Sequence, residues 1–403
     1  MKRVAIVGGG VGGLVACREC ISQGIHATVF ERNSRVGGTW RCGTSDSPIY
    51  QGLRTNLPRA LMRLTDLDWN DSLPDYLTPE MVDRYITDFA VKFDLNRHIR
   101  FNQSVTEVLP KNDEQWEVKS VTCGGQKDID IFDAVIIANG HFNVPMIPLD
   151  YSRFQGHSIH SKEYWDPSPF ADKVVCVIGG GSSGTDIAKE LDGVARRIYI
   201  CDSRCIQPEM VPDMLDTTWM PKVSCIESHS CKLANGDTML ADAIIFCTGY
   251  SFSYEFLSES VIQVPKGERV RPLYKHMMHA EYPSLFFLGL NQPVNPFPFL
   301  EIQAKWCVNM LINPEWIPSM ETRFKHVHWM EREAPSHNPH SLWEYSDQFS
   351  YLEELIQSGH MEPKLLEAVS QDRILYNKVA AFRGGGPPGG KDYYRNVPIA
   401  SLL

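Results

Sequence analysis

The sequence lacks any long uninterrupted run of apolar residues. Among its 403 residues, no apolar stretch approaches the roughly 20 residues that a membrane-spanning helix requires. Positive charge is not in excess either: the formal net charge is -10, so neither nucleic acid nor an anionic membrane surface is an expected partner. The composition, 43% hydrophobic and 22% charged, is typical of a globular enzyme with two or three domains. We expect a soluble, cytoplasmic protein, or a secreted one if a precursor's signal peptide has been removed.

The sequence shows no repeated cysteine pairing and no metal-binding motif. The cysteines, eleven in number, are scattered apart from one CxxC spacing at Cys17 and Cys20, which is typical of free thiols in a reducing compartment. The histidines do not form a metal-binding motif with cysteine or carboxylate residues, so the sequence predicts no metal site. No nucleophile with a partnered base can be identified. A disulfide reductase would need a redox-active cysteine pair near its flavin, and Cys42 has no second cysteine at a suitable spacing.

Two glycine-rich turns of the same kind are the most informative features present. The first, Gly8–Gly13, follows the apolar run Val4–Val7, and the second, Gly179–Gly184, follows Val174–Ile178. In each case a buried strand feeds a tight turn and then a helix, which is the context of a dinucleotide-binding site. Ordinary glycine-rich loops between a strand and a helix are the alternative. Two such units on one chain favour two dinucleotides, most simply a flavin and a nicotinamide.

The residues of the first turn predict FAD. Gly8 permits the sharp turn, Gly10 lets the pyrophosphate approach the backbone, and Gly13 lets helix and strand pack closely. The phosphates would then lie at the positive end of the helix that begins near Gly10. The next strand ends at Glu31, whose carboxylate would hold a ribose diol and repel a 2'-phosphate.

The second turn favours NADPH, but less clearly than the first turn favours FAD. Its following strand, Arg197–Cys201, leads into Asp202, Ser203 and Arg204. Arg204 could accept a 2'-phosphate, which favours NADPH, although Asp202 beside it weakens this assignment. The two units predict an α/β fold with two Rossmann-like domains, the NADPH-binding domain (166–285) being inserted into the FAD-binding domain (1–165 and 286–403).

Between the two turns lies the motif FxGxxxHxxxY, here Phe154 to Tyr164. Other short motifs are Gly37–Trp40, Thr55–Pro58, Thr248–Tyr250 and Glu301–Trp306. In the order and spacing of these motifs the chain resembles the flavin-containing monooxygenases along nearly its whole length. Its compact form is similar to the soluble insect members, including those that N-oxygenate pyrrolizidine alkaloids.

The resemblance implies two sets of cofactor-binding residues. The FAD set consists of Gly8, Gly10, Gly12, Gly13, Glu31, Arg32, Gly38, Thr39, Trp40, Thr55, Asn56, Val105 and Gln303. The NADPH set consists of Gly179, Gly181, Ser182, Ser183, Gly184, Thr185, Asp186 and Arg204. Many relatives carry two consecutive basic residues where this chain has Ser203 and Arg204, which weakens the preference for NADPH over NADH.

The resemblance also implies a reaction. NADPH would reduce FAD, and a C4a-hydroperoxyflavin formed with O2 would oxygenate a small-molecule amine or sulfide; homo-oligomerisation is left open. Asn56 is the predicted catalytic residue, because an amide donates a hydrogen bond without titrating near neutral pH. The alternative is that Asn56 only caps the turn before Pro58.

Other activities stay open at this point. A Baeyer–Villiger monooxygenase carries tryptophan where this chain has Tyr164, and here the tryptophan is one position later, at Trp165. A flavin-dependent NADPH oxidase and a disulfide reductase are the remaining alternatives. His160 of the motif resembles a general base, but its place between the two predicted domains favours a structural or hinge role.

Overall fold

The computed structural model describes residues 1–43, 47–111, 115–210, 214–292, 294–333, 340–342 and 347–382. The α-helices of this part of the chain are α1 Val11–Ser22, α2 Pro79–Lys92, α3 Ser182–Leu191, α4 Pro296–Ile312, α5 Met320–Glu333, α6 Gln348–Ser358 and α7 Lys364–Phe382. Short 3-10 turns cover Gly38–Trp40, Arg59–Leu61, Leu95–His98, Ser168–Phe170, Pro265–Gly267 and Pro314–Trp316.

The strands are short and numerous. In chain order they are β1 Arg3–Val7, β2 His26–Phe30, β3 Ile99–Arg100, β4 Gln103–Pro110, β5 Trp116–Thr122, β6 Lys127–Phe132, β7 Ala134–Ile137, β8 Val144–Pro145, β9 His157–His160, β10 Val174–Ile178, β11 Arg197–Asp202, β12 Glu209–Met210, β13 Thr217–Pro221, β14 Val223–Ile226, β15 Ser230–Leu233, β16 Thr238–Leu240, β17 Ala243–Phe246, β18 Tyr250–Ser251, β19 Leu273–Tyr274, β20 Met278–His279 and β21 Leu285–Phe287.

The chain divides into two compact units. Of the described residues, unit 1 contains those within Met1–Arg41, Thr55–His141 and Phe252–Asn377, and unit 2 contains those within Cys42–Arg54, Phe142–Ser251 and 378–382. Unit 1 is built on a 7-stranded sheet of order β19-β20-β21-β7-β1-β2-β3, and unit 2 on a 6-stranded sheet of order β12-β13-β11-β10-β17-β9. In both sheets the strands at the centre run parallel, as in Rossmann-like domains.

In unit 1 the parallel sheet is covered on both faces. Val4 and Ile6 of β1 belong to a buried cluster with residues of α1, α2 and α4. Ala5 and Val7, which point to the opposite face because side chains alternate along a strand, pack with residues of β4, β5 and β6. This double burial explains why β1 is a continuous apolar run rather than an alternating one.

Unit 2 repeats this arrangement. Val175 and Val177 of β10 pack with residues of α3, whereas Cys176 and Ile178 pack with residues of β14 and β15. The two units therefore share one plan, with helices on one face of a parallel sheet and a small antiparallel sheet on the other. The predicted α/β fold with two Rossmann-like domains is confirmed.

The boundaries of the units differ from the predicted domain boundaries. β9 pairs with β17, so the chain already belongs to the sheet of unit 2 before residue 166. β19 and β20 join the sheet of unit 1 through β21, so the chain returns to unit 1 before residue 286. The predicted FAD-binding domain also includes residues from 383 on, which lie outside the described ranges. Which domain binds FAD and which binds NADPH stays a prediction.

Helix α2 shows how local sequence determines an element. Thr78 caps the helix by accepting a hydrogen bond from Met81 N at 3.4 Å, and Pro79 occupies the first helical position. Tyr85, Ile86 and Phe89 form its buried face. Across the described ranges, no helix combines the length and the apolar content that crossing a membrane demands.

Candidate functional site

The first glycine-rich turn joins the carboxyl end of β1 to α1, and its geometry requires glycine at several positions. Gly8 has a φ of 109°, and a Cβ there would lie 2.5 Å from Ala138 O. A Cβ on Gly13 would lie 1.8 Å from Gly8 O, so the helix could not pack this close to the strand. At Gly12, by contrast, a Cβ would make ordinary contacts with Leu300 and Ala138.

The turn is arranged to receive an anion. Gly10 is the N-cap of α1 and has no side chain that could bond the first N–H groups of the helix. Those amides, at the positive end of the helix dipole, are suited to a pyrophosphate. Gly37 N donates to Gly9 O at 3.2 Å, and a Cβ on Gly38 would lie only 2.8 Å from the Cα of Gly10. The Gly38–Trp40 turn thus packs directly on the loop, and these residues fit a bound dinucleotide.

Glu31 is held against the same loop. It follows β2 and is buried, and its Oε2 accepts a hydrogen bond from Gly9 N at 2.7 Å. Its Oε1 accepts two more, from the backbone and side-chain nitrogens of Asn33 at 2.8 and 2.7 Å. The carboxylate is therefore fixed at the edge of the loop, where a ribose diol would bind. Arg32 beside it is exposed.

Thr55 and Asn56 differ in their surroundings. Thr55 is buried; its hydroxyl donates to Leu57 O at 2.8 Å and accepts from Leu77 N at 3.0 Å. Asn56 is exposed between two buried neighbours. The backbone at this position is thus anchored, while the Asn56 amide lies on the surface of unit 1. Its catalytic role stays a prediction.

The two remaining FAD-side residues lie within the packed interior of unit 1. Val105 belongs to β4 and is half-buried against the core cluster that contains Val7. Gln303 is fully buried in α4: its Oε1 accepts from Gly289 N at 3.0 Å, and its Nε2 donates to Asn291 Oδ1 at 3.1 Å. In this arrangement the Gln303 amide supports the turn after β21, and its direct contact with FAD stays a prediction.

The second glycine-rich turn repeats the geometry of the first between β10 and α3. Gly179 has a φ of 104°, and a Cβ there would lie 2.4 Å from Cys247 O. A Cβ on Gly184 would lie 1.9 Å from Gly179 O. Gly181 caps α3, again without a side chain that could occupy the first amides of the helix. This turn fits the phosphates of a second dinucleotide.

The polar residues at the start of α3 differ in their exposure. Ser182 and Ser183 are exposed beside the turn. Thr185 is buried and donates to Gly181 O at 3.0 Å. Asp186 is also buried, and it accepts a hydrogen bond from the hydroxyl of Tyr50 at 3.1 Å. Ser182 and Ser183 are therefore better placed for a ligand than Thr185 and Asp186.

Arg204 pairs with Asp202, although much of its side chain is exposed. Its backbone N and Nε donate to Asp202 Oδ1 at 2.9 and 2.8 Å, and Asp202 Oδ2 accepts from Gly180 N at 2.8 Å. Burial works to raise the pKa of Asp202, but the hydrogen bonds from Arg204 and Gly180 outweigh it and hold that pKa below its usual range. Asp202 is therefore a carboxylate at neutral pH, held against the second turn.

The FxGxxxHxxxY motif has a structural explanation within unit 2. His160 ends β9; its Nε2 donates to Gly249 O at 3.0 Å and its Nδ1 accepts from Lys162 N at 3.1 Å. With both ring nitrogens engaged and its pKa lowered by burial, His160 is neutral and is not available as a base. Tyr164 donates to Glu190 at 3.0 Å, and a Cβ on Gly156 would lie 2.4 Å from Asp242 O.

In the described part of the chain, neither a disulfide nor a metal-binding cluster offers an alternative to the two dinucleotide sites. The eleven cysteines all lie in the described part of the chain, and none of them forms a disulfide there. Within that part, no group of three or more histidine, cysteine, aspartate or glutamate side chains is arranged to hold a metal ion.

The family model described as flavin-binding monooxygenase-like matches residues 1–206 and 220–390. The chain belongs to this family. A flavin-containing monooxygenase of Arabidopsis thaliana, GS-OX3, is 34% identical over 357 residues, which cover 81% of this chain and 77% of the relative. A second Arabidopsis thaliana member, GS-OX1, is 32% identical over 397 residues, covering 90% and 86%. The predicted membership of the flavin-containing monooxygenase family is confirmed. The similarity to the insect members of the family is not confirmed.

Solved structures agree with this membership. The S-allyl-L-cysteine S-oxygenase from Allium sativum superimposes with a TM-score of 0.89 at 27% identity, covering 100% of this chain and 97% of that one. Cyclohexanone monooxygenase, at 15% identity and a TM-score of 0.62, covers 89% of this chain and 98% of its own and shows the fold alone. The predicted cofactors, FAD and NADP(H), are those of this family, and the chain is a flavin monooxygenase of the two-Rossmann-domain type.

Three features of the sites were not predicted from the sequence. They are the Asn33 hydrogen bonds to Glu31, the Tyr50 contact with Asp186, and the hydrogen bond from Gly180 to Asp202. Only the last had a signal in the sequence, since Asp202 occupies the strand end in unit 2 that Glu31 occupies in unit 1.

Proposed function

We propose that this chain is an FAD- and NADPH-dependent monooxygenase that transfers one oxygen atom of O2 to a sulfide sulfur or a tertiary amine nitrogen. For a sulfide the balance is sulfide, O2, NADPH and a proton giving sulfoxide, NADP+ and water. The observation that carries the proposal is the presence of two complete dinucleotide loops, one in each unit. In each loop, backbone contacts exclude a side chain at the first and last glycine of the turn, and a carboxylate accepts an N–H group of the turn.

Unit 1 would hold the flavin dinucleotide. The first amides of α1 would bind its pyrophosphate, and the Glu31 carboxylate would bind its ribose. The flavin, when bound, supplies hydride acceptance from NADPH and the activation of O2. The Gly38–Trp40 turn packs against the loop and would close one side of the phosphate site.

Asn56 would supply the hydrogen bond at the reacting oxygen. Its side chain is exposed, whereas its neighbours Thr55 and Leu57 are buried, so the amide is presented from a fixed backbone. An amide donor keeps the same protonation state across the neutral range. This suits a donor that has to act at every pH at which the enzyme works.

Sulfides are the favoured substrate class. The relative from Allium sativum is named as an S-oxygenase, and it covers the whole of this chain at a TM-score of 0.89. N-oxygenation of tertiary amines such as pyrrolizidine alkaloids rests on the sequence resemblance to the insect enzymes. Both classes offer a soft nucleophilic atom, so one panel of substrates can compare them.

The test measures oxygenated product rather than the loss of NADPH alone. The FAD-loaded protein is incubated with NADPH and 18O2, together with S-alkyl cysteines, pyrrolizidine alkaloids or cyclic ketones; catalase is present in the reactions scored for oxygenated product and absent from parallel reactions scored for peroxide. We expect sulfoxide or N-oxide carrying one 18O atom, in a ratio to NADPH consumed close to one. Peroxide as the sole product would indicate an NADPH oxidase, and lactone from the ketones would indicate a Baeyer–Villiger enzyme; either result would contradict the proposal.

A further inference from the structure

The contact between Gly180 and Asp202 in unit 2 repeats the contact between Gly9 and Glu31 in unit 1. Gly9 N donates to Glu31 Oε2 at 2.7 Å, and Gly180 N donates to Asp202 Oδ2 at 2.8 Å. Both glycines are the second residue of their turn, and both carboxylates stand at the carboxyl end of the next parallel strand or directly after it. The two loops therefore present a carboxylate at the same place.

The residue two positions further along also has the same role in the two units. Asn33 donates to Glu31 Oε1 through its backbone N and Nδ2, at 2.8 and 2.7 Å. Arg204 donates to Asp202 Oδ1 through its backbone N and Nε, at 2.9 and 2.8 Å. Arg204 thus holds the carboxylate in unit 2 as Asn33 does in unit 1, and its guanidinium is engaged before any coenzyme arrives.

A carboxylate at this position of a dinucleotide fold accepts the 2'-hydroxyl of the adenosine ribose, whereas a 2'-phosphate requires a positive charge there. We propose that Asp202 is the coenzyme-specificity residue of this chain and binds the ribose diol of NADH, so that NADH is accepted together with NADPH. The inference rests on the proposed function and names the coenzymes that its second site takes.

The different exposure of the two partners explains why NADPH is also accepted. The Asp202 side chain is 14% exposed and fixed by Gly180, whereas the Arg204 side chain is 63% exposed. The exposed guanidinium of Arg204 can turn to a 2'-phosphate, but it then gives up its ion pair with Asp202 and its hydrogen bond to Gly180 O at 2.5 Å, and it leaves a carboxylate near the phosphate. The dissociation constants of the two coenzymes should therefore lie within about tenfold of each other. A site whose cations are not paired with a carboxylate would prefer NADPH by a larger factor.

The test is direct binding of NAD+ and NADP+ to the FAD-loaded protein by isothermal titration calorimetry, a readout that does not require turnover. The variant D202N keeps the size of the side chain and an acceptor for Gly180 N but loses the charge. We expect NAD+ to bind about tenfold or more weakly to this variant, because a hydrogen bond to a charged acceptor is lost. NADP+ should bind more tightly to D202N, because the variant removes the negative charge near the 2'-phosphate and weakens the hold on Arg204.

A matched control and a reciprocal variant complete the test. Asp242 also accepts a backbone N–H, from Val174 at 2.9 Å, and pairs with Arg196 at 3.0 Å, but it lies beside the opposite end of β10. D242N should therefore leave both dissociation constants unchanged. R204Q should weaken NADP+ about tenfold and leave NAD+ within about threefold.

Several outcomes would overturn the inference. One is that the wild-type protein binds NADP+ more than about a hundredfold more tightly than NAD+. Another is that D202N loses the same affinity for both coenzymes, which would indicate that Asp202 only shapes the turn. Either result would leave the proposed monooxygenase intact. Failure of the wild-type protein to bind either coenzyme would overturn the proposed function and this inference together.

Discussion

The hydroxyl of Tyr50 donates a 3.1 Å hydrogen bond to the carboxylate of Asp186, and both side chains are buried in unit 2. Asp186 lies on α3, the helix that follows the second glycine-rich turn. One turn further along, Glu190 accepts from Tyr164, and a Cβ on Gly52 would lie 1.9 Å from Glu190 Oε1. The acidic face of α3 therefore fastens the segment of residues 47–54 and the end of the FxGxxxHxxxY motif to the helix.

Removing the Tyr50 hydroxyl should destabilise the protein. In Tyr50→Phe the buried Asp186 carboxylate loses a donor, which costs about 1–3 kcal/mol. We expect the melting temperature to fall by several degrees, measured by differential scanning calorimetry. Tyr151→Phe, at an exposed tyrosine of the same unit, is the control. A double-mutant cycle with Asp186→Asn should show coupling between the two sites, and additive effects would refute the contact.

Substituting Glu31 should weaken the retention of FAD. Glu31→Gln removes the charge that would bind the ribose diol, which corresponds to a loss of about 1.5–3 kcal/mol, or tenfold or more in affinity. The ratio of FAD to protein after extensive dialysis measures the effect. Asp133→Asn is the matched control, because Asp133 accepts a backbone N–H from Arg3 at 2.7 Å beside the opposite end of the sheet. Unchanged FAD occupancy in Glu31→Gln would count against the site.

Asn56→Ala should uncouple NADPH consumption from oxygenation. Asn56 is exposed, so its truncation should spare folding and FAD binding. Loss of a hydrogen bond of about 1–3 kcal/mol would shift the partition between product and peroxide by about one to two orders of magnitude. A peroxide assay beside product analysis measures this, with the exposed Asn96→Ala of the same unit as control. If product still matched NADPH consumed, Asn56 would be only the cap of its turn.

Glu301 should make the stability of unit 1 depend on pH. Burial raises the pKa of Glu301 to about 7, although hydrogen bonds from Thr65 and the charge of Arg18 oppose the shift. Between the unfolded-state pKa of about 4.5 and about 7, the folded protein binds more protons than the unfolded chain, so stability falls as pH rises through this window.

The variant Glu301→Gln should remove this dependence. From pH 4.5 to above pH 7, the free energy of unfolding of the wild-type protein should fall by about 3 kcal/mol relative to the variant, as measured by urea denaturation. Glu367→Gln, at an exposed position of α7, should follow the wild-type curve. Parallel curves for wild type and Glu301→Gln would show that Glu301 titrates in its ordinary range.

Much of the local structure could be predicted from the sequence because the determining interactions are short-range. Thr78 and Pro79 define the start of α2 through a capping hydrogen bond and a fixed φ, both within one helical turn. The apolar runs before Gly8 and Gly179 predicted the central parallel strands, since strands buried on both faces are apolar throughout. The ends of the domains were less predictable, because β9 joins its sheet by pairing with β17, and β21 joins its sheet by pairing with β7, both of which are distant in the sequence.

By itself, the sequence determined that this chain forms two dinucleotide-binding units of the flavin-binding monooxygenase-like family, since the glycine spacings and family motifs are local patterns. Only the tertiary structure decided what several of those residues contact. His160 is bonded at both nitrogens, the Gln303 amide supports Gly289, and Arg204 is paired with Asp202. The physical reason is that a side chain's hydrogen-bond partners depend on which backbone and side-chain groups the folded chain brings within about 3 Å, and residue type alone does not specify them.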